Sequence, residues 1–376
     1  MLSPEPPSPR QVLVVGGGLV GLATAWLLQR RGHRVQLVDP CIAGPAPAAG
    51  GSWAALGVLM AQVSHRRSGR GWRLRQRSHA LWPQWLAALQ AEGHAVARRR
   101  GLLLLACDPG ELAYQQRLAA EGSRRGLPLS LWSAQRLQAL QPGLPAAALG
   151  GLHAAGDGQL DPGQLMAALL ASARRQGLSC RREAAVRLQR GGRGGERFWR
   201  LTTSAGSVLE APWLVLAAGV TTGALLQELG HGLASEPVLG QAVELELPTR
   251  PAWAAPGSDW PGVVQWRGLN LVPRPDLPGG RRLWLGATLE PGSRADPAAL
   301  AGLRSWADAG LDWLEQAAVV RRWQGQRCRP CSQPAPVLEA PEAGLLVSSG
   351  HYRNGVLLAP ASAEWVAGQI EAGPGP

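Results

Sequence analysis

Three glycines and one carboxylate near the start of the chain have the spacing of a dinucleotide-binding motif. Gly16, Gly18 and Gly21 form G-x-G-x-x-G directly after an apolar run, and Asp39 ends the next apolar run. The first glycine permits a tight strand-to-helix turn, the second lets the backbone approach a pyrophosphate, and the third lets helix and strand pack closely. The helix N-terminus then faces the phosphates, and the carboxylate accepts a ribose hydroxyl. We therefore predict dinucleotide binding over a ligand-free glycine-rich turn; the motif alone does not separate FAD from NAD.

The five cysteines do not have the spacing of a metal site. Cys328 and Cys331 form a lone C-x-x-C, and the chain has no second C-x-x-C or H-x-x-x-H that would complete four zinc ligands. An odd number of cysteines in a chain of 376 residues argues against a disulfide framework and favours a reducing compartment. We expect no metal and a cytoplasmic protein.

The composition is that of a folded but strongly basic protein. Hydrophobic residues make up 45% of the chain, which excludes disorder as its main state. No window of about 18 apolar residues predicts a membrane span, and the first ten residues have no apolar signal core. The 38 basic residues are all arginine, and 26 acidic residues leave a net charge of +12. Such a charge would suit nucleic acid or an acidic lipid surface. The arginines are scattered and accompany no nucleic-acid motif, so we expect a solvated arginine surface and no nucleic-acid partner.

Hydrophobic periodicity predicts an α/β fold around the motif. Strands at 11–15 and 34–38 flank a helix at 19–31, and the run at 212–218 is typical of a fully buried strand. Strands at 262–266, 269–273 and 282–287 have turns that favour an antiparallel sheet. We further predict a loop at 40–51, strands at 101–106 and 344–348, and helices at 71–92, 109–125, 133–140, 163–176, 296–318 and 359–370.

Five segments of the chain resemble the D-amino-acid-oxidase-like flavoproteins, and within them glycine oxidase and its relatives in thiamine biosynthesis. They are the opening motif at 12–39, the small-residue stretch at 51–59, Leu-Ala-Ala-Gly at 216–219, Leu-Val-Pro-Arg at 271–274 with Gly-Ala-Thr at 286–288, and Gly-His-Tyr-Arg-Asn-Gly-Val-Leu-Leu-Ala-Pro at 350–360. A smaller match is Asp157-Gly158 followed by Asp161-Pro162. Their order and spacing span nearly the whole chain.

This resemblance implies a discontinuous, Rossmann-like FAD-binding domain and a substrate domain built on an antiparallel sheet. The first would comprise residues 11–95, 152–235 and 323–372, the second 96–151 and 236–322, and residues 1–10 would form a disordered tail. FAD would lie between the two domains. The residues expected to contact it are Gly16, Gly17, Gly18, Leu19, Val20, Gly21, Asp39, Pro40, Gly51, Ser52, Leu56, Gly57, Val58, Val186, Ala218, Gly219, His351, Tyr352, Asn354, Gly355, Val356 and Leu357.

The family likeness also implies the chemistry: a hydride moves from the substrate carbon to flavin N5. No strong protein base is needed when the amine is neutral, so we expect no catalytic side chain, and we expect His351 to pack beside the flavin. The substrate carboxylate calls for an arginine fork, and Arg353 matches the family position. A second family arginine follows Trp-x-Gly-x-Arg and precedes proline. Spacing from Trp323 indicates Arg327, whereas the proline indicates Arg329, and both stay open.

Some positions depart from the family pattern. Asn270 stands where glycine oxidases often have a tyrosine that reaches the substrate, which puts glycine itself in question as the substrate. Val220 and Thr221 stand where the family has a tryptophan. Cys328 lies in the region where some sarcosine oxidases attach flavin covalently, but glycine oxidases hold it non-covalently, and we expect the same here.

We therefore expect an FAD-dependent oxidase of glycine, sarcosine or a small D-amino acid. Oxygen or another electron acceptor would reoxidise the flavin, and the protein could form a homo-oligomer. Its product could feed thiamine thiazole synthesis. Alternatives are a dehydrogenase that passes electrons to a quinone, an NAD-linked dehydrogenase, and a non-catalytic basic flavoprotein or nucleic-acid-binding module.

Overall fold

The computed structural model describes residues 8–42, 50–64, 67–193, 196–255, 257–306 and 309–373. Most of the predicted tail (1–7) and loop (43–49) lies outside these residues. The strands are β1 Gln11–Val15, β2 Arg34–Val38, β3 Val58–Leu59, β4 Arg98–Ala106, β5 Leu129–Ser133, β6 Gly150–Leu160, β7 Ser179–Arg181, β8 Ala185–Arg193, β9 Glu196–Thr203, β10 Val208–Ala211, β11 Trp213–Leu216, β12 Ser235–Glu246, β13 Val263–Trp266, β14 Leu269–Arg274, β15 Arg282–Gly286, β16 Glu290–Pro291, β17 Ala318–Pro330, β18 Val337–Glu342 and β19 Leu345–Ser349. The helices are α1 Leu19–Arg30, α2 Gly51–Ala54, α3 Gly69–Ala91, α4 Pro109–Arg124, α5 Ala134–Gln138, α6 Pro162–Arg175, α7 Thr222–Gln227, α8 Pro297–Gly302, α9 Asp312–Glu315 and α10 Gly355–Ala372.

The predicted βαβ unit opens a six-stranded sheet with the order β18-β19-β11-β1-β2-β7. Its pairings are parallel except for that of β18 with β19. The alternation along β1 explains the layers: Val12 and Val14 point into a core that contains α1, α6 and α10. Leu13 and Val15 point instead into a core shared with the three-stranded sheet β8–β10. Both faces are therefore covered, as expected of a buried parallel sheet.

The second sheet is larger, mainly antiparallel, and ordered β16-β12-β15-β14-β13-β4-β6-β3, with β17 on β12 and β5 on β6. The predicted antiparallel arrangement of β13, β14 and β15 is confirmed. Side chains again alternate between two faces. One face packs a tryptophan-rich core, whereas Leu102, Val263 and Val272 belong to a cluster on the other face. Gln265 and Asn270 share the second face because each lies two residues from one of these apolar side chains.

The predicted single helix at 296–318 is wrong. In the described part of this stretch, which leaves out residues 307 and 308, the chain forms two short helices, α8 and α9. Gly310 lies between them with φ of +61°, in the left-handed region that a continuous right-handed helix cannot include. The last helix, in contrast, begins at Gly355, four residues earlier than expected, and tolerates Pro360 in its interior. This early start places Gly355, Val356 and Leu357 of the family-like segment in the first helical turn.

Three of the predicted domain boundaries fall inside strands. The boundary at 151/152 divides β6, which pairs with β4, and the boundary at 322/323 divides β17, which pairs with β12 along its length. The boundary at 235/236 separates the first residue of β12 from the rest of that strand. The larger sheet thus includes residues from both sides of each boundary. Across the part of the chain that the structure describes, no helix combines the length and apolarity needed to cross a bilayer.

Candidate active site

A cavity of about 1460 Å³ lies between the two large sheets. One wall is formed where the parallel strands β1, β2, β11 and β19 end, which is where ligands bind in open α/β sheets. The opposite wall is the face of the larger sheet that carries Gln265 and Asn270. Two parts of the chain that lie far apart in sequence therefore share one site.

Most residues predicted to contact a cofactor or substrate line this cavity. From the cofactor set these are Gly16, Gly17, Gly18, Val20, Asp39, Pro40, Gly51, Ser52, Leu56, Gly57, Val58, Val186, Ala218, Gly219, His351, Tyr352, Asn354, Gly355 and Val356, and from the substrate set Asn270, Arg327 and Arg353. Leu19, Gly21 and Leu357 lie buried beneath the wall, and Arg329 lies outside the cavity.

The glycine turn after β1 depends on close packing. Gly16 has φ of +107°, and a Cβ there would lie 2.5 Å from the carbonyl oxygen of Ala217 at the end of β11. A Cβ on Gly21 would overlap the carbonyl oxygen of Gly16. Gly18 differs, because its nearest neighbour would be the Ser52 hydroxyl at 3.1 Å. Gly16 and Gly21 therefore shape the turn, while Gly18 leaves space beside the helix N-terminus.

Asp39 is held in place by the backbone around it. Its Oδ2 accepts a hydrogen bond from Gly17 N–H at 2.7 Å, and its Oδ1 accepts one from Cys41 N–H at 2.7 Å. Each carboxylate oxygen can accept a further bond, because an ionised carboxylate has about four acceptor positions. The side chain is thus fixed at the end of β2 and still able to accept ribose hydroxyls.

Ser52 closes the other side of the turn. Its Oγ accepts a hydrogen bond from Leu19 N–H at 2.9 Å, so it caps α1 across 33 residues of chain. The segment is pressed against β17, where a Cβ on Gly51 would overlap the carbonyl oxygen of Gln326. The small residues at 50–57 are therefore needed for the segment to pass between α1 and β17.

The turn from β19 to α10 presents backbone N–H groups to the cavity. The first intrahelical bond runs from Leu358 N–H to the Asn354 carbonyl at 2.8 Å, so the N–H groups of Gly355 and Val356 precede the helical ladder. Tyr352 adopts φ of +54°, an uncommon conformation for a residue with a side chain. The positive end of an 18-residue helix therefore faces the cavity and favours negative charge there.

His351 lies beside this turn and is only 6% exposed. Its Nε2 is 2.8 Å from Ser362 Oγ within α10. Burial lowers the pKa of His351 to about 4, so the imidazole is neutral near pH 7. A neutral, hydrogen-bonded histidine suits the packing position that we expected better than proton abstraction.

The structure separates the two arginines that the sequence left open. Arg327 Nη1 donates to the carbonyl oxygens of Leu239 and Thr288, at 3.2 and 3.1 Å. Arg329 forms an ion pair with Glu236, its neighbour in the β12–β17 ladder. Two residues along a strand span about 6.6 Å, and side chains two residues apart lie on the same face. This distance is enough to place Arg329 beyond the rim of the cavity. Burial lowers the pKa of Arg327, and the positive charge of Arg353 lowers it further.

Several cavity residues escaped the sequence reasoning. Gln115 on α4 and Gln265 on β13 line the cavity, and Gly240 on β12 lies against the Arg327 guanidinium. The apolar residues on both sides of Gln265 in β13 could have marked it as a polar residue in a buried strand. Nothing local marks Gln115 or Gly240, because their roles depend on strands and helices that meet only in the fold.

The walls fit FAD on three structural grounds. Gly18 leaves space at the N-terminus of α1, the Asp39 carboxylate is held at the end of β2, and the N-terminus of α10 opens at the other end. In addition, Ser348 Oγ is buried in the cavity wall without a hydrogen-bond partner among the described residues. The described residues contain no group of three or more His, Cys, Asp or Glu side chains that could hold a metal ion.

Comparison with known proteins agrees with this geometry. The DAO family model, described as FAD dependent oxidoreductase, matches residues 11–369. Glycine oxidase of Geobacillus kaustophilus is 30% identical over 369 residues, covering 96% of this chain and 92% of that protein. The crystal structure of glycine oxidase from the same species matches with a TM-score of 0.84 and 28% identity, covering 97% of this chain and 96% of that chain. The bifunctional protein MnmC of Paracidovorax citrulli, named for biosynthesis of 5-methylaminomethyl-2-thiouridine in tRNA, is 32% identical over 98% of this chain and 58% of its own length.

The expected resemblance and cofactor are confirmed, and FAD is preferred over NAD. The glycine oxidase match also confirms the α/β architecture, in which a flavin-binding sheet faces an antiparallel sheet. The chain belongs to the DAO family of FAD-dependent oxidoreductases, and among the members of known structure it is similar to glycine oxidase.

Proposed function

We propose that the enzyme oxidises a small amino acid (glycine, sarcosine or a small D-amino acid) to the imino acid. Bound FAD would supply the acceptor for the hydride of the substrate carbon, and oxygen or another acceptor would take up the electrons afterwards. The observation that carries the proposal is that two arginines, Arg327 on β17 and Arg353 in the turn after β19, both line the cavity. Burial lowers the pKa of Arg327 and the positive charge of Arg353 lowers it further, so a substrate carboxylate near both guanidinium groups would stabilise their charged forms.

The two arginines would hold the carboxylate in different ways. Arg327 is anchored by two backbone carbonyls, so its guanidinium is already oriented before substrate arrives. Arg353 is exposed within the cavity and follows Tyr352 in the turn before α10. The oriented guanidinium of Arg327 and the second cation, Arg353, would together fix the orientation of the substrate. Orienting the substrate is the main contribution of the protein to this reaction.

The turn that carries Arg353 also carries the N-terminal N–H groups of α10. Donors fixed in this way stabilise negative charge that develops on a bound group, without reorganisation during the reaction. One short segment would therefore position both the substrate carboxylate and the electron-accepting ring. The neutral His351 packs behind this segment and supports its shape.

Replacement of Arg353 tests the proposal. Arg353 is exposed in the cavity, and a bound substrate carboxylate would cover it. Loss of one partner from such a covered charge pair costs about 2–5 kcal/mol, so Arg353→Ala should lower kcat/KM by at least about 30-fold. Arg353→Lys should recover only part of this loss, because lysine keeps the charge but not the fork. The flavin absorbance should persist in both variants. Arg329→Ala, outside the cavity, is the matched control, and equal activity of Arg353→Ala and the wild type would contradict the proposal.

The electron acceptor defines a related alternative, a D-amino-acid dehydrogenase that reduces a quinone. Both versions use the same arginines and the same cavity, so the distinction depends on access to the reduced flavin. Turnover with and without oxygen, with an artificial quinone as acceptor, separates them. In air without the quinone, an oxidase would turn over repeatedly and release hydrogen peroxide, whereas a quinone-linked dehydrogenase would need the added quinone for more than one turnover.

Two relatives point to a biological setting. The bifunctional protein ThiO/ThiG of Trichormus variabilis is 27% identical over 95% of this chain and 52% of its own length, which supports a role for the imino product in thiamine thiazole synthesis. The likeness to MnmC, together with the charge of +12, favours a step in tRNA modification as a second candidate. Affinity for tRNA that falls steeply with salt would favour the second candidate. Affinity that is absent at low salt would exclude it.

A further inference from the structure

Two buried amides face the cavity from neighbouring strands. Gln265 on β13 and Asn270 on β14 are register partners, and Gln265 Nε2 donates to Asn270 Oδ1 at 3.1 Å. They are 7% and 8% exposed, and their neighbours on the same sheet face are mainly apolar. A buried amide that lacks a full set of partners costs free energy, so two of them side by side call for an additional partner.

The remaining bonds of these amides are weak. Gln265 Nε2 reaches Met60 Sδ at 3.4 Å, and a thioether is a poor acceptor. Asn270 Nδ2 reaches the Gly286 carbonyl at 3.4 Å, near the outer limit for a hydrogen bond. Both donors could therefore exchange these contacts for a bound group at little cost.

A third amide contributes an acceptor from the helix side of the cavity. Gln115 on α4 is 2% exposed, and its Oε1 has no hydrogen-bond partner in the described part of the chain. Helix α4 packs on β4, which pairs with β13 so that Leu104 lies opposite Gln265. We name Gln115, Gln265 and Asn270 the amide cluster. An unpaired acceptor in a cavity wall favours a ligand that carries an O–H or N–H.

Resting on the proposed function, we propose that the amide cluster is a second recognition site for the substrate. It binds a neutral hydrogen-bonding group, a hydroxyl or a carboxamide, carried on the α-carbon or the nitrogen of the amino acid. Amides offer both donors and acceptors, which match neutral groups, whereas Arg327 and Arg353 already serve the carboxylate. The preferred substrate is then larger and more polar than glycine.

This arrangement makes the enzyme selective against apolar isosteres. A substrate that places a methyl group against the amide cluster would exclude water from the amides of the cluster without giving them a hydrogen-bond partner. Sites built to hydrogen-bond a substrate group reject analogues that lack it far more strongly than apolar pockets reject small changes of size. We expect at least a tenfold preference in kcat/KM for the polar member of an isosteric pair.

Three isosteric pairs test the proposal on purified enzyme with bound FAD. They are D-serine with D-2-aminobutyrate, D-asparagine with D-leucine, and N-(2-hydroxyethyl)glycine with N-propylglycine. The wild type should prefer the polar member at least tenfold in one pair or more, and that pair identifies where the group is attached.

Gln265→Met and Asn270→Leu, which preserve side-chain size, should each bring this ratio close to one. Gln36→Met is the matched control, since Gln36 is a half-buried strand glutamine outside the cavity.

Two outcomes would overturn the inference: no polar preference in any pair, or an unchanged ratio in both variants. The ratio of two substrates on one enzyme preparation does not depend on how much of that preparation is folded. If one variant fails to bind FAD, the other variant and Gln115→Met still decide the question. Oxidation of no amino acid at all would contradict the proposed function, whereas oxidation without preference would contradict this inference alone.

Discussion

The guanidinium of Arg327 occupies the volume that a side chain on Gly240 would need. The two residues lie on paired strands, β17 and β12, and a Cβ built on Gly240 would overlap both terminal nitrogens of Arg327. Gly240 has an ordinary backbone conformation, so its lack of a side chain serves clearance and not a turn. The position of a cation in the cavity wall thus depends on a glycine that has no chemistry of its own.

Gly240→Ala should therefore displace Arg327 without unfolding the sheet. The atoms that would clash are at the far end of a flexible side chain, which can move, whereas the strands need not. The two anchoring bonds to Leu239 and Thr288 would be lost with the displacement. We expect KM for the amino acid to rise about tenfold or more, because an oriented partner of the carboxylate is lost.

The control for this variant is Gly232→Ala, whose Cβ would have no atom within 4 Å. It should change neither KM nor the melting temperature by a measurable amount. A crystal structure of Gly240→Ala with Arg327 unmoved, or an unchanged KM, would show that the clearance is not needed.

Gly18→Val should prevent FAD binding while the protein still folds. Among the described residues, a Cβ at this position would contact Ser52 alone, with the hydroxyl nearest at 3.1 Å, but a branched side chain would fill the space at the N-terminus of α1. The purified variant should be colourless, with a circular dichroism spectrum like that of wild-type apoprotein. Wild-type flavin content in this variant would contradict the assignment of the turn to FAD.

Much of this turn could be predicted because its determinants are local. The spacing of Gly16, Gly18 and Gly21 and the apolar alternation of the flanking strands are properties of one continuous segment. The prediction of a helix at 296–318 also relied on a local apolar pattern. It was wrong because Gly310 adopts a left-handed conformation, which the composition of the segment does not reveal.

The choice between Arg327 and Arg329 could not be made from sequence. Both arginines point to the same side of β17, and only the position of the cavity rim along that strand separates them. The amide of Gln115 is a similar case, because α4 reaches the cavity only through its packing on the larger sheet. Chemistry that depends on where one sheet ends and another begins is a property of the tertiary fold.

FAD should be released by acid, since we expect it to be bound non-covalently. Cys328 lines the cavity and is 6% exposed, which leaves it close to the site as a small packed side chain. After precipitation with trichloroacetic acid, the yellow colour should go to the supernatant for both the wild type and Cys328→Ser. Colour that stays in the wild-type pellet but not in the Cys328→Ser pellet would establish a covalent bond at this cysteine.

Asp157 links the stability of the cavity wall to pH. The side chain is 1% exposed, and its two oxygens accept hydrogen bonds from the backbone N–H groups of Ala61, Gln62 and Val63 at 2.9 to 3.3 Å. This carboxylate therefore holds the segment that brings Met60 and Val63 to the cavity. Burial raises the pKa of Asp157 from 3.8 to about 6, and the three N–H groups and His79 offset only part of that effect.

The sign of the pH effect follows from this raised pKa. The folded state holds the Asp157 proton more tightly than the unfolded state, so the associated stability is complete below about pH 4 and is lost as pH rises through about 6. A shift of this size corresponds to about 3 kcal/mol of unfolding free energy. The side chain of the Asp157→Asn variant does not titrate at this position. The unfolding free energy of the wild type minus that of the variant should therefore fall by roughly this amount from pH 4 to pH 7. Urea unfolding of both proteins at each pH measures the difference and cancels the groups that they share. Parallel curves would mean that Asp157 has the same proton affinity in the folded and unfolded chains.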